Sequence, residues 1–170
     1  MCEKKYLTVL FSSGGTVYGE PQYLPINESH PTNPICAYGM SKMVIEKILE
    51  YYHAMYGLDY RILRISNPYG PGQDPNRRQG VIAVFLAHVL TGKKIEIWGN
   101  GETVRDYLFV DDLIEACVKF LSYEGNECVF NIGSGKGISL NEILNAIHTL
   151  TQKEIHVIYK EKRMQDVKIN

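Results

Sequence analysis

The segment Tyr38-Gly39-Met40-Ser41-Lys42 sets a phenol and an amine four residues apart. On an α-helix that separation is about one turn, so the two side chains share a face. A fixed ammonium beside a phenol favours the phenolate, lowers its pKa toward neutrality and lets it act as a general base. YxxxK also occurs by chance on solvated helix faces, so its weight comes from its neighbours. Upstream, Phe11-Ser12-Ser13-Gly14-Gly15-Thr16-Val17-Tyr18-Gly19 reads as a strand end opening into hydroxyls and glycines. Downstream, Asn67-Pro68 ends a second strand. Open α/β sheets place ligands at strand carboxyl ends, which would bring the three segments to one crevice.

The elements that must position these groups follow from periodicity. Tyr6 to Phe11 is a short apolar run suited to a strand buried in a parallel sheet. The four prolines from Pro21 to Pro34 mark a long irregular loop, a length that usually signals function. After Ala37, Met40, Val44, Ile48, Leu49, Tyr52 and Met55 recur at helical intervals until Gly57 stops them. Tyr60 to Ile65 predicts a strand, Asn67 to Gly72 a loop, Val81 to Leu90 a helix and Ile95 to Trp98 a strand. Asn100-Gly101 is a turn between extended segments, and Asp111 or Asp112 can cap a helix running to about Ser122. Val129 to Ile132, Leu140 to Leu150 and Ile155 to Tyr159 read as strand, helix and strand. The alternation predicts an α/β protein with a largely parallel sheet.

With these segments in place, the chain resembles the extended short-chain dehydrogenase/reductase family, and within it the nucleotide-sugar epimerases of the UDP-glucose 4-epimerase type. The resemblance runs through SSGGTVYG at 12–19, YGMSK at 38–42, RISNPYGPGQ at 64–73, IWGNGETVRDYLFVDD at 97–112, FNIGSG at 130–135, and Arg163 followed by Asp166. It implies a partial Rossmann-like parallel sheet from residues 1–66 and 104–126, the carboxyl-terminal part of an NAD-binding domain. Residues 67–103 and 127–170 would form a small mixed α/β substrate-binding domain.

The same resemblance assigns roles. Tyr38 would be the base that takes the sugar hydroxyl proton while a hydride passes to NAD, and Lys42 would bind the nicotinamide ribose. A nearby hydroxyl would bond the reacting oxygen. Relatives carry it at the position of Gly14, so here Thr16 or Ser13 must supply it, with Thr16 preferred because it lies two residues on. Ser12 and Pro68 would lie against the cofactor. Asn67, Val81 and Ile82 would meet the sugar nucleotide, and Arg105 and Arg163 its phosphates, which paired guanidinium donors suit. Asp166 would position Arg163 or a ribose hydroxyl; Gln165 stands before it where relatives have Gly. Sister dehydratases and decarboxylases place carboxylates near Gly14 to Thr16, and none occurs from Leu7 to Gly19.

Other classes of function find less support. With 18 basic and 19 acidic residues mixed along 170, the net charge of −1 offers no footprint for nucleic acid or an anionic membrane. Cys2, Cys36, Cys117 and Cys128 form no CxxC pair, and His30, His53, His88, His148 and His156 show no metal spacing, so no metal is expected. The opening apolar run is too short for a signal peptide or membrane span, and a cytoplasmic protein is expected.

The family's cofactor turn, GxxGxxG between its first strand and helix, belongs further upstream than the 37 residues preceding Tyr38 allow. Gly133-Ser134-Gly135-Lys136-Gly137 lies between a strand and a helix, but its spacing is not that of a dinucleotide loop. The chain is therefore expected to be truncated at its amino end, and also at Asn170, where relatives continue. A sheet edge left uncovered would favour self-association or a separate amino-terminal partner. The competing readings are an inactive remnant or half of a split enzyme that binds sugar nucleotide only, and a reductase, decarboxylase or dehydratase of the same family.

Overall fold

The computed structural model describes residues 8–77 and 79–161. The chain begins with β1 (Val9–Ser12), a single 3-10 turn (Gly15–Val17) and α1 (Ala37–Tyr56). Next come β2 (Tyr60–Ile65), β3 (Asn67–Tyr69), α2 (Val81–Leu90) and β4 (Ile95–Trp98). Then follow β5 (Val104–Phe109), α3 (Val110–Leu121), β6 (Val129–Ile132), β7 (Gly137–Ser139), α4 (Leu140–Thr151) and β8 (Val157–Lys160). The result is an α/β protein with parallel sheets. The described residues form two compact units, 8–66 with 112–132, and 67–111 with 133–161.

The first unit is built on three parallel strands in the order β1-β2-β6. The central strand β2 is the most buried, and its Ile62 and Leu63 are sealed from water. Ile62 pairs with Phe11 on one side and Val129 on the other. Leu49 of α1 closes over Tyr60 and Ile62, with Val9, Phe11, Leu58 and Val129 around them. α1 starts where the Cys36 Sγ accepts the Gly39 N–H at 3.4 Å, and stops at Gly57, whose positive φ of 67° is open to glycine at little cost.

The second unit packs α2 and α4 over a separate core of Phe85, Val89, Ile95, Ile97, Tyr107, Ile143, Leu144 and Ile147. β4 and β8 pair in parallel, and β5 lies between β3, parallel to it, and β7, antiparallel. A capping box starts α4: the Ser139 side chain accepts the Glu142 N–H while the Glu142 carboxylate accepts the Ser139 N–H at 2.7 Å.

Three departures from the sequence reading bear on function. Asn67-Pro68-Tyr69, expected as loop, is a strand; proline's missing N–H is tolerated because β3 lies at a sheet edge. β7 was not expected, and the extended segment after the Asn100-Gly101 turn proves to be β5; because β5 pairs with β3 and β7, residues 104–111 fall in the second unit, while β6 brings 129–132 into the first. The first strand ends at Ser12, so Thr16 lies in a 3-10 turn and not on a continuing strand face. Elsewhere α3 begins directly after β5, at Val110 rather than at an Asp cap.

Buried phenols contribute to stability on the alkaline side. Burial raises the Tyr18 and Tyr107 pKa above the ordinary 10.0, against the opposing effects of Arg64 and Arg105 respectively. Burial, reinforced by negative charge at Cys128 and Glu50, pushes Tyr60 up to about 12. A raised folded pKa means that the folded chain holds these protons more tightly than the unfolded chain. Their contribution is therefore fully present below the unfolded value and lost as pH rises through the folded one. Urea midpoints should hold at pH 9 and fall progressively between pH 10 and about 12; Tyr60→Phe should reduce the slope of that fall. An unchanged slope would show that this phenol is not held protonated by its surroundings.

Candidate active site

Tyr38, Lys42 and Glu46 recur every four residues and form one stripe along α1. Glu46 is buried at 2% exposure, whereas Tyr38 is 58% exposed. Lys42 lies between them. Its ammonium donates to the Ser12 carbonyl at the end of β1 at 3.0 Å. It stands 5.5 Å from the centre of the Tyr38 ring and 5.0 Å from that of Phe11. The cation is thus tied to the strand end and held against the phenol, the arrangement a proton-transferring tyrosine needs.

The turn Gly15–Val17 packs on the first helical turn of α1, and Gly39 is what lets it. A Cβ at residue 39 would lie 2.5 Å from the Thr16 carbonyl oxygen and 2.9 Å from the Pro34 Cβ. The Thr16 hydroxyl is buried and has no hydrogen-bond partner. Ser13 is spent differently: its hydroxyl donates to Glu46 Oε1 at 2.5 Å inside the protein. Of the two hydroxyls considered for the reacting oxygen, Ser13 is therefore committed to the interior and Thr16 is the uncommitted one. Ser12 is exposed and contributes its carbonyl to Lys42.

Below this pair lies a buried polar network. Glu46 accepts from Arg64 Nη2 at 2.7 Å and from Arg64 Nε at 3.2 Å. Arg64, 8% exposed, also donates to the Tyr18 hydroxyl at 2.9 Å and stacks 4.8 Å from its ring centre. Burial works to lower the Arg64 pKa, but the hydrogen bonds to Glu46 and Tyr18 outweigh it and raise the value. Tyr18 in turn donates to Asn131 Oδ1 at 2.6 Å. The Asn131 amide N–H donates to Glu28 at 2.8 Å, and its side chain donates to the Ile26 carbonyl at 3.1 Å. The long proline-bearing loop that leads into α1 is thereby pinned to β6.

In the second unit, Asn67 donates through Nδ2 to the Asp106 carbonyl at 2.9 Å, and Arg105 through Nη1 to the Val104 carbonyl at 2.7 Å. Pro68 is exposed, and its carbonyl accepts from Gln73 Nε2 at 2.8 Å. Val81 and Ile82 are half-buried, with their side chains packed against the core. α2 begins after Gly80, at φ 83°, with no side-chain cap, which suits its first N–H groups to an anion. Arg163 and Asp166 lie outside the described residues.

The glycine turn at 133–137 is occupied from within. Asp106 accepts the N–H of Ser134 and of Gly135, each at 2.9 Å, and the Ser134 hydroxyl at 2.8 Å. A Cβ at residue 133 would lie 2.6 Å from that carboxylate. The glycines admit an internal acid, and the donors a phosphate would need are already taken.

The structure thus joins Tyr38, Lys42 and Ser12 directly, with Thr16 on the adjoining turn, and holds Asn67, Arg105, Val81 and Ile82 in the second unit. Glu46, Arg64, Tyr18, Asn131 and Asp106 had no assigned role. Their available signals were a carboxylate one turn beyond Lys42, and two arginines, Arg61 and Arg64, inside a strand expected to lie in the sheet. Among the described residues no three His, Cys, Asp or Glu side chains gather as metal ligands, and no helix is long and apolar enough to cross a membrane.

Residues 1–133 match the NAD dependent epimerase/dehydratase family. A Methanocaldococcus jannaschii protein named as a candidate UDP-glucose 4-epimerase is 43% identical over 94% of this chain and 52% of its own length. An Escherichia coli dTDP-4-dehydro-6-deoxyglucose reductase is 38% identical over 94% of this chain and 49% of its own. The crystal structure of the Thermotoga maritima UDP-glucose 4-epimerase with UDP-glucose superposes with a TM-score of 0.91 at 39% identity, over 96% of this chain and 53% of that one. The chain spans about half the length of the relatives it matches.

Gly39→Ala tests the packing that joins the turn to the helix. The obstacle to the new methyl is backbone, which cannot swing aside, so urea unfolding should show a loss of about 1–3 kcal/mol. Met40→Ala, exposed on the same helix, should change stability by roughly 0.5 kcal/mol or less. Equal effects at the two sites would mean that the turn does not rest on residue 39.

Proposed function

The chain belongs to the NAD dependent epimerase/dehydratase family, and on that premise we propose that it carries the proton-transfer and sugar-nucleotide-binding groups of a 4-epimerase acting on a UDP-linked hexose. The observation that carries this reading is the Lys42 ammonium held on the Ser12 carbonyl and against the Tyr38 ring. Tyr38 takes the proton from the sugar hydroxyl as that carbon is oxidised to a ketone, and returns it when the carbon is reduced from the other face. Lys42 keeps a positive charge beside the phenol throughout. The Thr16 hydroxyl, buried without a partner, is the group that bonds the reacting oxygen; an unsatisfied polar atom is what a ligand site leaves behind.

NAD, when bound, supplies the acceptor and then the donor of the hydride. The residues present fit its nicotinamide-ribose end: the Lys42 ammonium has three donors and gives one to Ser12. The glycine turn at 133–137 does not fit the pyrophosphate, because Asp106 already takes its N–H donors. On the sugar-nucleotide side, Arg105, Asn67 and the uncapped start of α2 supply donors to phosphate and sugar oxygens.

The reductase relative favours a second reading, in which the same Tyr38 delivers a proton to a keto-sugar rather than removing one. The chemistry differs only in direction and in which nucleotide sugar is supplied. The two are separable by offering UDP-glucose with NAD in one reaction, and a dTDP-4-keto-sugar with the reduced cofactor in another.

Wild-type chain should bind UDP-glucose in calorimetry and, with NAD, convert it to UDP-galactose. Tyr38→Phe should keep the binding within roughly twofold and lower any conversion about 10²–10⁴-fold. Arg105→Ala should weaken binding roughly tenfold, the effect of losing one charge-assisted contact. Binding without conversion assigns only the sugar-nucleotide site to this chain, and a wild type that binds no UDP-sugar removes the proposal.

A further inference from the structure

The Tyr38–Lys42 pair is held from within the protein by the buried groups Ser13, Glu46 and Arg64. Two rungs connect α1 to the end of β1. Lys42 reaches the Ser12 carbonyl, and one helical turn later Glu46 receives the hydroxyl of Ser13. Successive residues of the strand end are thus gripped by successive turns of the helix, which fixes the helix along its own axis. The lower rung is anchored: the Glu46 carboxylate is also held by Arg64 through two nitrogens, and Arg64 belongs to the central strand β2. The upper rung has no such anchor; Lys42 is a flexible side chain, partly exposed.

We propose that Glu46 is a positioning residue for the acid–base pair, acting through Ser13 to set the height at which Lys42 meets Ser12 and faces Tyr38. The proposal rests on the reading of Tyr38 and Lys42 given above for its importance to the reaction, but not for its geometry. A slide of α1 by one residue moves every side chain 1.5 Å along the axis and turns it by about 100°. That is enough to take the ammonium off the carbonyl. An apolar residue at 46 could bury as well, but it would leave the axial position of the helix to packing alone, and Leu49 is the only other side chain of α1 that is buried.

Glu46→Gln strips Arg64 of its buried counter-charge and threatens the fold, so the hydroxyl end of the rung is the place to test. Ser13→Ala removes the rung while leaving Glu46 with Arg64, and Ser13→Thr keeps a hydroxyl. The readout is amine labelling of the intact chain by a water-soluble succinimidyl ester, quantified by peptide mass spectrometry. Lys47, on the same helix and 65% exposed, serves as the internal reference. Wild type should label Lys42 more slowly than Lys47. In Ser13→Ala the Lys42-to-Lys47 ratio should rise roughly fivefold, the change that loss of one net hydrogen bond brings, and in Ser13→Thr it should return to the wild-type value. A merely structural role would lower the melting temperature without moving this ratio in the folded chain. An unchanged ratio in folded Ser13→Ala, or a Thr variant that behaves like Ala, overturns the proposal. Because labelling needs neither cofactor nor sugar, its outcome is independent of whether the chain turns over a nucleotide sugar; where it does, kcat should fall in Ser13→Ala with KM for the sugar nucleotide unchanged.

Discussion

The first unit is organised around one interaction, the ion pair between Glu46 and Arg64, both nearly sealed from water. Two such groups are costly to bury, and mutual attraction alone rarely repays the lost hydration. Here each is also satisfied by further partners: Ser13 on the carboxylate, and Tyr18 and the Glu28 carbonyl on the guanidinium. The outcome is less a gain in stability than a restriction of geometry, since each bond has a preferred length and direction that apolar packing lacks. Strand β2, helix α1, the end of β1 and the loop before the helix are each bound to this one pair, directly or through one intermediary.

The exposed chemistry depends on that restriction. Tyr38 is 58% exposed and so is not fixed by burial; on the proposed reading that exposure is what lets a substrate reach it. The device instead runs down the helix, with the position of the phenol inherited from residues eight and four places later in the sequence. Rigid elements position functional groups better than loops do, and a 20-residue helix clamped at its buried face is such an element. Gly39 extends the same logic to the amino end, where the absence of a side chain lets the Thr16 turn lie directly on the helix.

Much of this was legible from residue order and some of it was not. The helices α1, α2 and α4 and the strands β2, β4 and β6 announce themselves because their hydrophobic spacing repeats over enough residues to stand out. β3, β5 and β7 do not. Asn67-Pro68-Tyr69 contains turn-forming residues, Val104 to Phe109 mixes Arg and Asp with apolar side chains, and Gly137-Ile138-Ser139 is three residues long. What makes them strands is pairing between segments some 30 or 40 residues apart, which local periodicity does not encode. The same distinction separates the site residues. Tyr38 and Lys42 lie one helical turn apart and could be read as a pair, whereas Arg64 meets Glu46 only once β2 has come to lie beneath α1.

The turn at 133–137 shows how far composition can mislead about a phosphate site. Glycine and serine between a strand and a helix offer backbone donors that an anion can use, and the sequence looks alike whether that anion is a ligand or part of the protein. In this fold Asp106 reaches it from β5 and accepts three hydrogen bonds there. A ligand phosphate would therefore have to displace a carboxylate held by its own chain, while also repelling it. On the proposed reading, the phosphates of a sugar nucleotide would be met elsewhere. The start of α2 has the complementary character: no side chain caps it, Gly80 turns the chain into it at positive φ, and Val81 and Ile82 anchor it to the core. One glycine-bearing helix approach is closed by an internal acid and the other is left open, and the difference lies in what long-range pairing brings to each.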